Sequence, residues 1–97
     1  MPTYISLMNF TDQGVRSVKE TAKRAEAFKA TAQKMGVTIK EIYWTLGRYD
    51  LVSIVEASNE EMATALCLSL CSQGNVRSET LRGFSAEEMN RIVSKMV

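Results

Sequence analysis

The side chains best suited to chemistry are concentrated in one short segment near the middle of the chain. Tyr43 and Trp44 precede a turn that contains glycine, and the turn then presents Arg48, Tyr49 and Asp50. An arginine offers a planar fork of donors to an anion, and a tyrosine ring offers a face for stacking. We therefore expect a small-molecule site here, with the two leading aromatic residues as apolar walls, Arg48 as the counter-charge and Asp50 orienting the turn.

The same turn also fits a purely structural interpretation. Gly47 provides a permissive backbone, Asp50 can accept hydrogen bonds from nearby amides, and Tyr49 can cover one end of a barrel. Arg48 would then be solvated. Turn chemistry alone accounts for three of these four residues, so the sequence leaves both interpretations open.

A third interpretation is catalytic. Asp50, Tyr43 or Tyr49 could transfer a proton in a cofactor-independent monooxygenase or isomerase. Asn9 and Trp44 could line its cavity, although Trp44 equally fits core packing and Asn9 the end of a strand. The chain contains no histidine, which excludes a Ser-His-Asp triad, a Cys-His dyad and a histidine-rich zinc site. We expect neither a cofactor nor a metal.

The two cysteines are interpreted as structural. Cys67 and Cys71 are four residues apart in a helical segment and share one face. A metal held by this pair would need further ligands, and the chain has no third cysteine or histidine to supply them. We therefore predict two small, soft core residues packed under a sheet.

Composition limits the classes of partner. Ninety-seven residues make one domain, and a net charge of +1 argues against a nucleic-acid binder. No apolar run approaches the roughly 20 residues that a membrane span needs. Two cysteines and no visible secretion signal predict reduced thiols in a cytoplasmic protein.

Hydrophobic periodicity and capping signals predict the elements that position these residues. Strands are expected at Thr3–Phe10, Ile39–Leu46, Leu51–Ala57 and Val76–Leu81, with a turn at Thr11–Gly14 and a bulge at Lys40–Glu41. Helices are expected from Ser17 or Thr21 to Met35, from an N-cap at Ser58 to about Gln73, and, as a short element, after Ser85.

This order, βαββαβ plus a short last helix, predicts an α+β, ferredoxin-like fold. The first and third strands would form the centre of a four-stranded antiparallel sheet with both main helices on one face. The first three strands nevertheless carry apolar side chains on both faces, and such a patch is rarely left in water. We therefore expect a second copy to cover the open face, giving a homodimer or higher homo-oligomer of the dimeric α+β barrel class. Pure assembly, with dimers stacked as a scaffold, is a further alternative for the function.

The charged residues of the last strand have an interpretation of their own. Arg77, Glu79 and Arg82 are expected to protect a sheet edge or to pair with the second copy. A cationic mouth of a cavity is the alternative.

Several segments, in order along nearly the whole chain, resemble one known family. They are Asn9–Gly14, Tyr43–Val52, Gly74–Arg77 and Thr80–Ser85. The chain is similar in them to the GYD family, small bacterial and archaeal proteins named for a Gly, a Tyr and an Asp near this turn. The resemblance implies the dimeric α+β barrel class and no established activity. Relatives often have Pro at the position of Ala22, which favours a main helix that starts at Thr21, and they usually lack the two cysteines.

Overall fold

The computed structural model describes residues 1–97 and contains one four-stranded antiparallel sheet, in the order β2-β3-β1-β4. The sequence-based prediction of an α+β, ferredoxin-like fold with β1 and β3 at the centre is confirmed. The strands are β1 (Thr3–Phe10), β2 (Thr38–Trp44), β3 (Leu51–Glu56) and β4 (Val76–Gly83). The helices are α1 (Asp12–Arg16), α2 (Thr21–Lys34), α3 (Glu60–Cys71) and α4 (Ala86–Val93), and a single 3₁₀ turn (Val18–Glu20) joins α1 to α2.

Alternation along the two central strands divides their side chains between two faces. On β1, Tyr4 and Met8 are buried beneath the helices, and on β3 Leu51 and Val55 are buried with them. The helices supply Ala32 of α2, together with Ala63 and Leu66 of α3, to the same layer. We call this side of the sheet the covered face.

The opposite side, the open face, has no helix of the chain upon it. Strand registers place three pairs of neighbouring residues there, Ile5 with Ile54, Leu7 with Val52, and Tyr43 with Val52. The open-face side chains of β1 and β3 are only half-buried, and Tyr43 is exposed. The apolar set on this face comprises Ile5, Leu7, Tyr43, Val52, Ile54 and Leu81.

The segment after β1 forms a short helix where only a turn was expected. Thr11 caps α1, because its Oγ1 accepts a hydrogen bond from the amide of Gly14 at 3.1 Å. Position 14 has no room for a side chain, since a Cβ there would lie 2.0 Å from the carbonyl oxygen of Asn75. The main helix then starts at Thr21, which decides between the two starts that the sequence offered.

Other boundaries differ from the prediction by one or two residues. Asn59, not Ser58, caps α3, and its Oδ1 accepts from the amide of Met62 at 2.9 Å. Both residue types make good caps, so the choice depends on backbone geometry, and Asn59 has the extended conformation that a cap needs. Strand β2 begins at Thr38 and ends at Trp44, with the predicted irregularity between Ile39 and Glu41.

The last helix begins as predicted. Ser85 and Glu88 form a capping box in which each side chain accepts from the other residue's backbone amide. Every residue of α4 except Glu88 is exposed. None of the helices is long and apolar enough to cross a lipid bilayer.

Candidate functional site

The loop between β2 and β3, residues 45–50, is closed by its own backbone and side chains. The amide of Thr45 donates to the carbonyl of Asp50 at 2.9 Å, and the Thr45 hydroxyl donates to the carbonyl of Tyr49. Gly47 has φ of +102°, in the region that side-chain-bearing residues rarely adopt. The structural interpretation of Gly47 therefore agrees with its conformation.

Asp50 fixes this loop to the central strand β1. Its Oδ2 accepts a hydrogen bond from the amide of Phe10 at 2.9 Å, and its own amide donates to the carbonyl of Met8 at 2.8 Å. The carboxylate is therefore committed to the backbone of a neighbouring strand. It orients the turn, as the sequence suggested.

Three of the predicted site residues come together on the open face. Asn9, Arg48 and Tyr49 line an open concavity of about 280 Å³. Arg77 and Glu79 of β4 line it as well, and we call these five residues the hairpin rim. The Tyr49 hydroxyl lies 3.3 Å from Glu79 Oε1 and donates to it, while the Arg48 guanidinium lies 5.8 Å from the centre of the Tyr49 ring.

From the sequence, Arg77 and Glu79, with Arg82, were interpreted as edge protection, as pairing groups for a second copy or as the cationic mouth of a cavity, without a link to the turn. The missing information was the register, because Asn9 pairs with Arg77 and Leu7 with Glu79 across the β1–β4 ladder. Alternation along β4 could have placed both on one face, but the sequence does not state which loop lies above them.

The two aromatic residues that were expected to form the walls of one site lie on opposite faces of the sheet. Trp44 lies on the covered side, where its Nε1 donates to Thr21 Oγ1 of α2 at 3.0 Å. Tyr43 lies on the open face beside Glu41, and its hydrogen bond and electrostatic interaction with that carboxylate raise the pKa of Tyr43. A single pocket therefore does not contain both rings.

The covered side has a small apolar cavity of about 40 Å³ near the ends of β1 and β3. Met8, Phe10 and Leu51 line it, with Arg24 of α2 at its margin. Arg24 is held in place, since its guanidinium donates to the carbonyl and hydroxyl oxygens of Ser17 at 2.9 and 3.1 Å. The volume is sufficient for one or two water molecules only.

The cysteines belong to a hydroxyl-rich cluster between α3 and the sheet. Cys67 Sγ lies 3.0 Å from Thr80 Oγ1 and 3.8 Å from Ser6 Oγ. Burial, and then the neighbouring Cys67, raise the pKa of the Cys71 thiol. A protonated thiol is a poor nucleophile and a poor metal ligand, and no group of three His, Cys, Asp or Glu side chains is arranged to hold a metal.

Comparison with known proteins adds relatives in sequence and in fold. A curated relative from Thermus thermophilus, named glutamine synthetase and cystathionine beta-lyase binding protein, is 32% identical over 90 residues, covering 92% of this chain and 95% of its own. The crystal structure of TTHA0845, also from Thermus thermophilus, superposes with a TM-score of 0.58 at 25% identity, over 89% of this chain and 96% of that one. The crystal structure of a protein designated FFRP has the same fold, with a TM-score of 0.56 at 21% identity, over 87% and 100% of the two chains.

A match to a family model covers the segments that carry the resemblance. The model of the GYD domain matches residues 4–93, which include the hairpin rim, α4 and all of the sheet except Thr3. With this match and the relative at 32% identity, the chain belongs to the GYD domain family.

Proposed function

We propose that the protein is a binding module that works as a homodimer and docks onto a metabolic enzyme. The dimer is supported by the apolar character of the open face. All four strands contribute apolar side chains there, and no helix of the chain covers them. A contiguous apolar surface of this kind is typical of a protein interface. A second copy offers the same surface, so two sheets packed face to face bury both at once.

The enzyme partner is suggested by the curated relative, whose name states that it binds glutamine synthetase and cystathionine beta-lyase. We extend this property to the present chain because the two align over nearly their whole lengths. Both cysteines of the chain are free thiols, which fits the cytoplasmic setting that such a partner implies. The proposal is closest to the assembly alternative raised from the sequence.

The homodimer is tested by analytical ultracentrifugation of the wild type and of Ile54→Glu. Ile54 lies in the middle of the open face, so the variant places two carboxylates in the seam and raises the dimer dissociation constant by a factor of about 100 or more. The control is Ala30→Glu, which adds the same charge at an exposed position of α2. A wild type that remains monomeric at high concentration would contradict the dimer.

The enzyme partner is tested separately by isothermal titration calorimetry. The protein is titrated into purified glutamine synthetase and cystathionine beta-lyase from its own source. Binding to at least one of them with a dissociation constant on the order of 1 µM or tighter supports the proposal. Absence of heat with both enzymes, confirmed by co-sedimentation, would remove these two partners.

A second candidate function is the binding of a small anionic molecule at the hairpin rim. Its support is specific, because Arg48 and Arg77 line one concavity and neither has a carboxylate within salt-bridge distance. Two free guanidinium groups beside a tyrosine ring suit a planar carboxylate. The rim would then lie at the edge of the dimer seam.

This candidate is tested by titrating benzoate and observing backbone amide shifts by NMR. Saturable shifts at the rim that are lost in Arg48→Ala and Arg77→Ala, and retained in the exposed control Arg16→Ala, would support it. Shifts that are equal in all three variants would refute it for this class of ligand. No arrangement of side chains favours the oxygenase or isomerase alternative, which stays a prediction from the sequence.

A further inference from the structure

The last helix presents an apolar stripe that the rest of the chain does not cover. Met89, Ile92, Val93 and Met96 are spaced three or four residues apart, so they lie along one side of α4 and the turn that continues it. All four are exposed, with 39–75% of their surface in solvent. We call these residues the α4 stripe.

Side-chain contacts hold the first turn of α4 against the sheet, so the stripe belongs to an anchored helix. Arg82 of β4 forms a salt bridge with Glu88 at 3.2 Å, and its guanidinium lies 4.5 Å from the centre of the Phe84 ring. The same guanidinium donates to the carbonyl of Thr3 on the central strand at 3.5 Å. Together with the capping box at Ser85, these contacts set the direction in which the helix leaves the sheet.

The polar side of α4 lies against the end of the sheet, where Glu87 and Arg91 line a concavity with Thr3 and Glu56. The α4 stripe lies on a different side of the helix and is exposed. A helix of eight residues is marginal in water unless its apolar side packs against something. The stripe therefore requires a partner surface.

We propose that α4 is an arm that packs the α4 stripe onto a second copy of the chain. This inference rests on the homodimer proposed above and deepens it. In a two-fold dimer each copy extends its arm to the other, so both stripes are buried by the same association event.

The area available for burial supports a second copy as the occupant. Four strands about 4.8 Å apart and six to eight residues long give the open face about 450 Å² per copy. A stable dimer of standard size buries about 800 Å² per partner, so the sheet face alone is too small. An exchanged helix of eight residues is about 12 Å long and about 10 Å wide, so with the equal surface it covers it adds about 240 Å² per copy. The total of about 700 Å² per copy lies within the standard range of about 600–1,000 Å².

The charges of the helix argue against a membrane as the occupant. A helix that lies on anionic lipid is rich in Lys and Arg on its polar side. On α4, Glu87 pairs with Arg91 at 3.5 Å and Glu88 pairs with Arg82, so the polar side carries both signs and is largely neutralised within the chain. Such a surface suits the rim of a protein interface.

The test compares the dimer dissociation constants of full-length variants by analytical ultracentrifugation. Ile92→Glu interrupts the stripe, and Ser94→Glu, an exposed position on the other side of the helix, is its control. We expect Ile92→Glu to raise the dissociation constant about 100-fold, because one substitution removes two buried side chains from a symmetric dimer. The control should change it by less than about threefold.

A cross-linking experiment identifies the occupant directly. Benzoylphenylalanine at Val93 is irradiated in a mixture of isotopically heavy and light chains. Cross-links between heavy and light chains support the exchanged arm, and the linked peptide identifies the surface that receives it. Cross-links confined to single chains would overturn the proposal.

The outcomes separate this inference from the homodimer on which it rests. If Ile54→Glu is monomeric while Ile92→Glu dimerises like the wild type, the arm is refuted and the sheet-to-sheet dimer stands. If the wild type is monomeric at every concentration, both are refuted. If Ile92→Glu loses only the binding to the enzymes tested above, the stripe belongs to a different protein and the exchanged arm is refuted.

Discussion

The two faces of the sheet are built from the same strands and from similar residues, yet their environments differ. On β3, Leu51 and Val55 are buried beneath the helices, while Val52 and Ile54, their immediate neighbours in sequence, are only half-buried on the open face. Residue type therefore does not decide burial here. What decides it is whether another layer lies upon that face, and the chain supplies one layer of helices for two apolar faces.

The comparison also separates two kinds of polar residue. At the centre of the covered face several polar groups are short hydroxyls and thiols that bond among themselves, such as Ser6, Cys67 and Thr80. On the open face they are long charged groups at the margins, such as Arg77 and Glu79. A charged margin around an apolar centre is the usual composition of a protein interface.

The largest change in the free energy of unfolding is expected when a leucine of the covered face is truncated, and truncation of a leucine on the open face is its comparison. Leu51→Ala removes a side chain that is 7% exposed and should lower the free energy of unfolding by about 3 kcal/mol. Leu7→Ala, on the half-buried open face, should cost less than about 1.5 kcal/mol in dilute protein, because water already reaches that side chain. Urea unfolding measures both, and equal costs in the monomer would contradict the difference between the faces.

The next largest loss of stability is expected when the hydrogen bond between the hairpin and the central strand is removed. Asp50→Ala leaves the amide of Phe10 without its acceptor and should destabilise the protein by about 2 kcal/mol. Asp50→Asn keeps an acceptor oxygen and should cost less than half as much. Thermal unfolding of both variants is the measurement, and an Asn variant as unstable as the Ala variant would argue against this hydrogen bond.

Removal of a buried hydroxyl on the covered face should change the stability less, and should raise it. Ser53 is 0% exposed and its Oγ has no hydrogen-bond partner. Ser53→Ala should therefore stabilise the protein by about 1 kcal/mol. Its neighbour in the register, Ser6, bonds to Thr80 at 3.3 Å, so Ser6→Ala should destabilise it in the same urea titration.

The smallest change in stability is expected in the first turn of α4, and it depends on pH. The hydrogen bond from the Ser85 amide, with help from Arg82, lowers the pKa of Glu88 below its ordinary value of 4.5. A lowered pKa in the folded state means that the stabilisation is present above pH 4.5 and is lost as the pH falls through the folded-state pKa. Amide exchange in α4 should accelerate over that range in the wild type and not in Glu88→Gln. Glu87→Gln, which alters an exposed neighbour, should behave like the wild type.

Much of the fold could be predicted because it depends on short-range patterns. Alternation of period two identified β1 and β3, and the spacing of Ser85 and Glu88 identified the cap of α4. Boundaries were less reliable where two residues could serve the same purpose, as with Ser58 and Asn59. There Asn59 has the extended backbone of a cap, and its side chain accepts from the amide of Met62.

The candidate site was only partly predictable. Asp50 was identified as the residue that orients the turn, since Asp in a turn bonds nearby amides. Tyr43 and Trp44, adjacent in sequence, were assigned to one site although adjacent residues of a strand point to opposite faces. Alternation along the strand already places them on opposite faces, and the packing of α2 determines which face is covered.

The sequence by itself determined the order of the elements, the apolar alternation that makes the sheet two-faced, and the turn residues by which the GYD family is recognised. The tertiary structure decided which residues meet: Arg48 with Arg77 at the hairpin rim, Asp50 with the amide of Phe10, and Glu88 of α4 with Arg82 of the sheet. The reason is physical. Local propensities depend on neighbours a few residues apart, whereas strand register and helix direction depend on contacts between segments far apart in the chain.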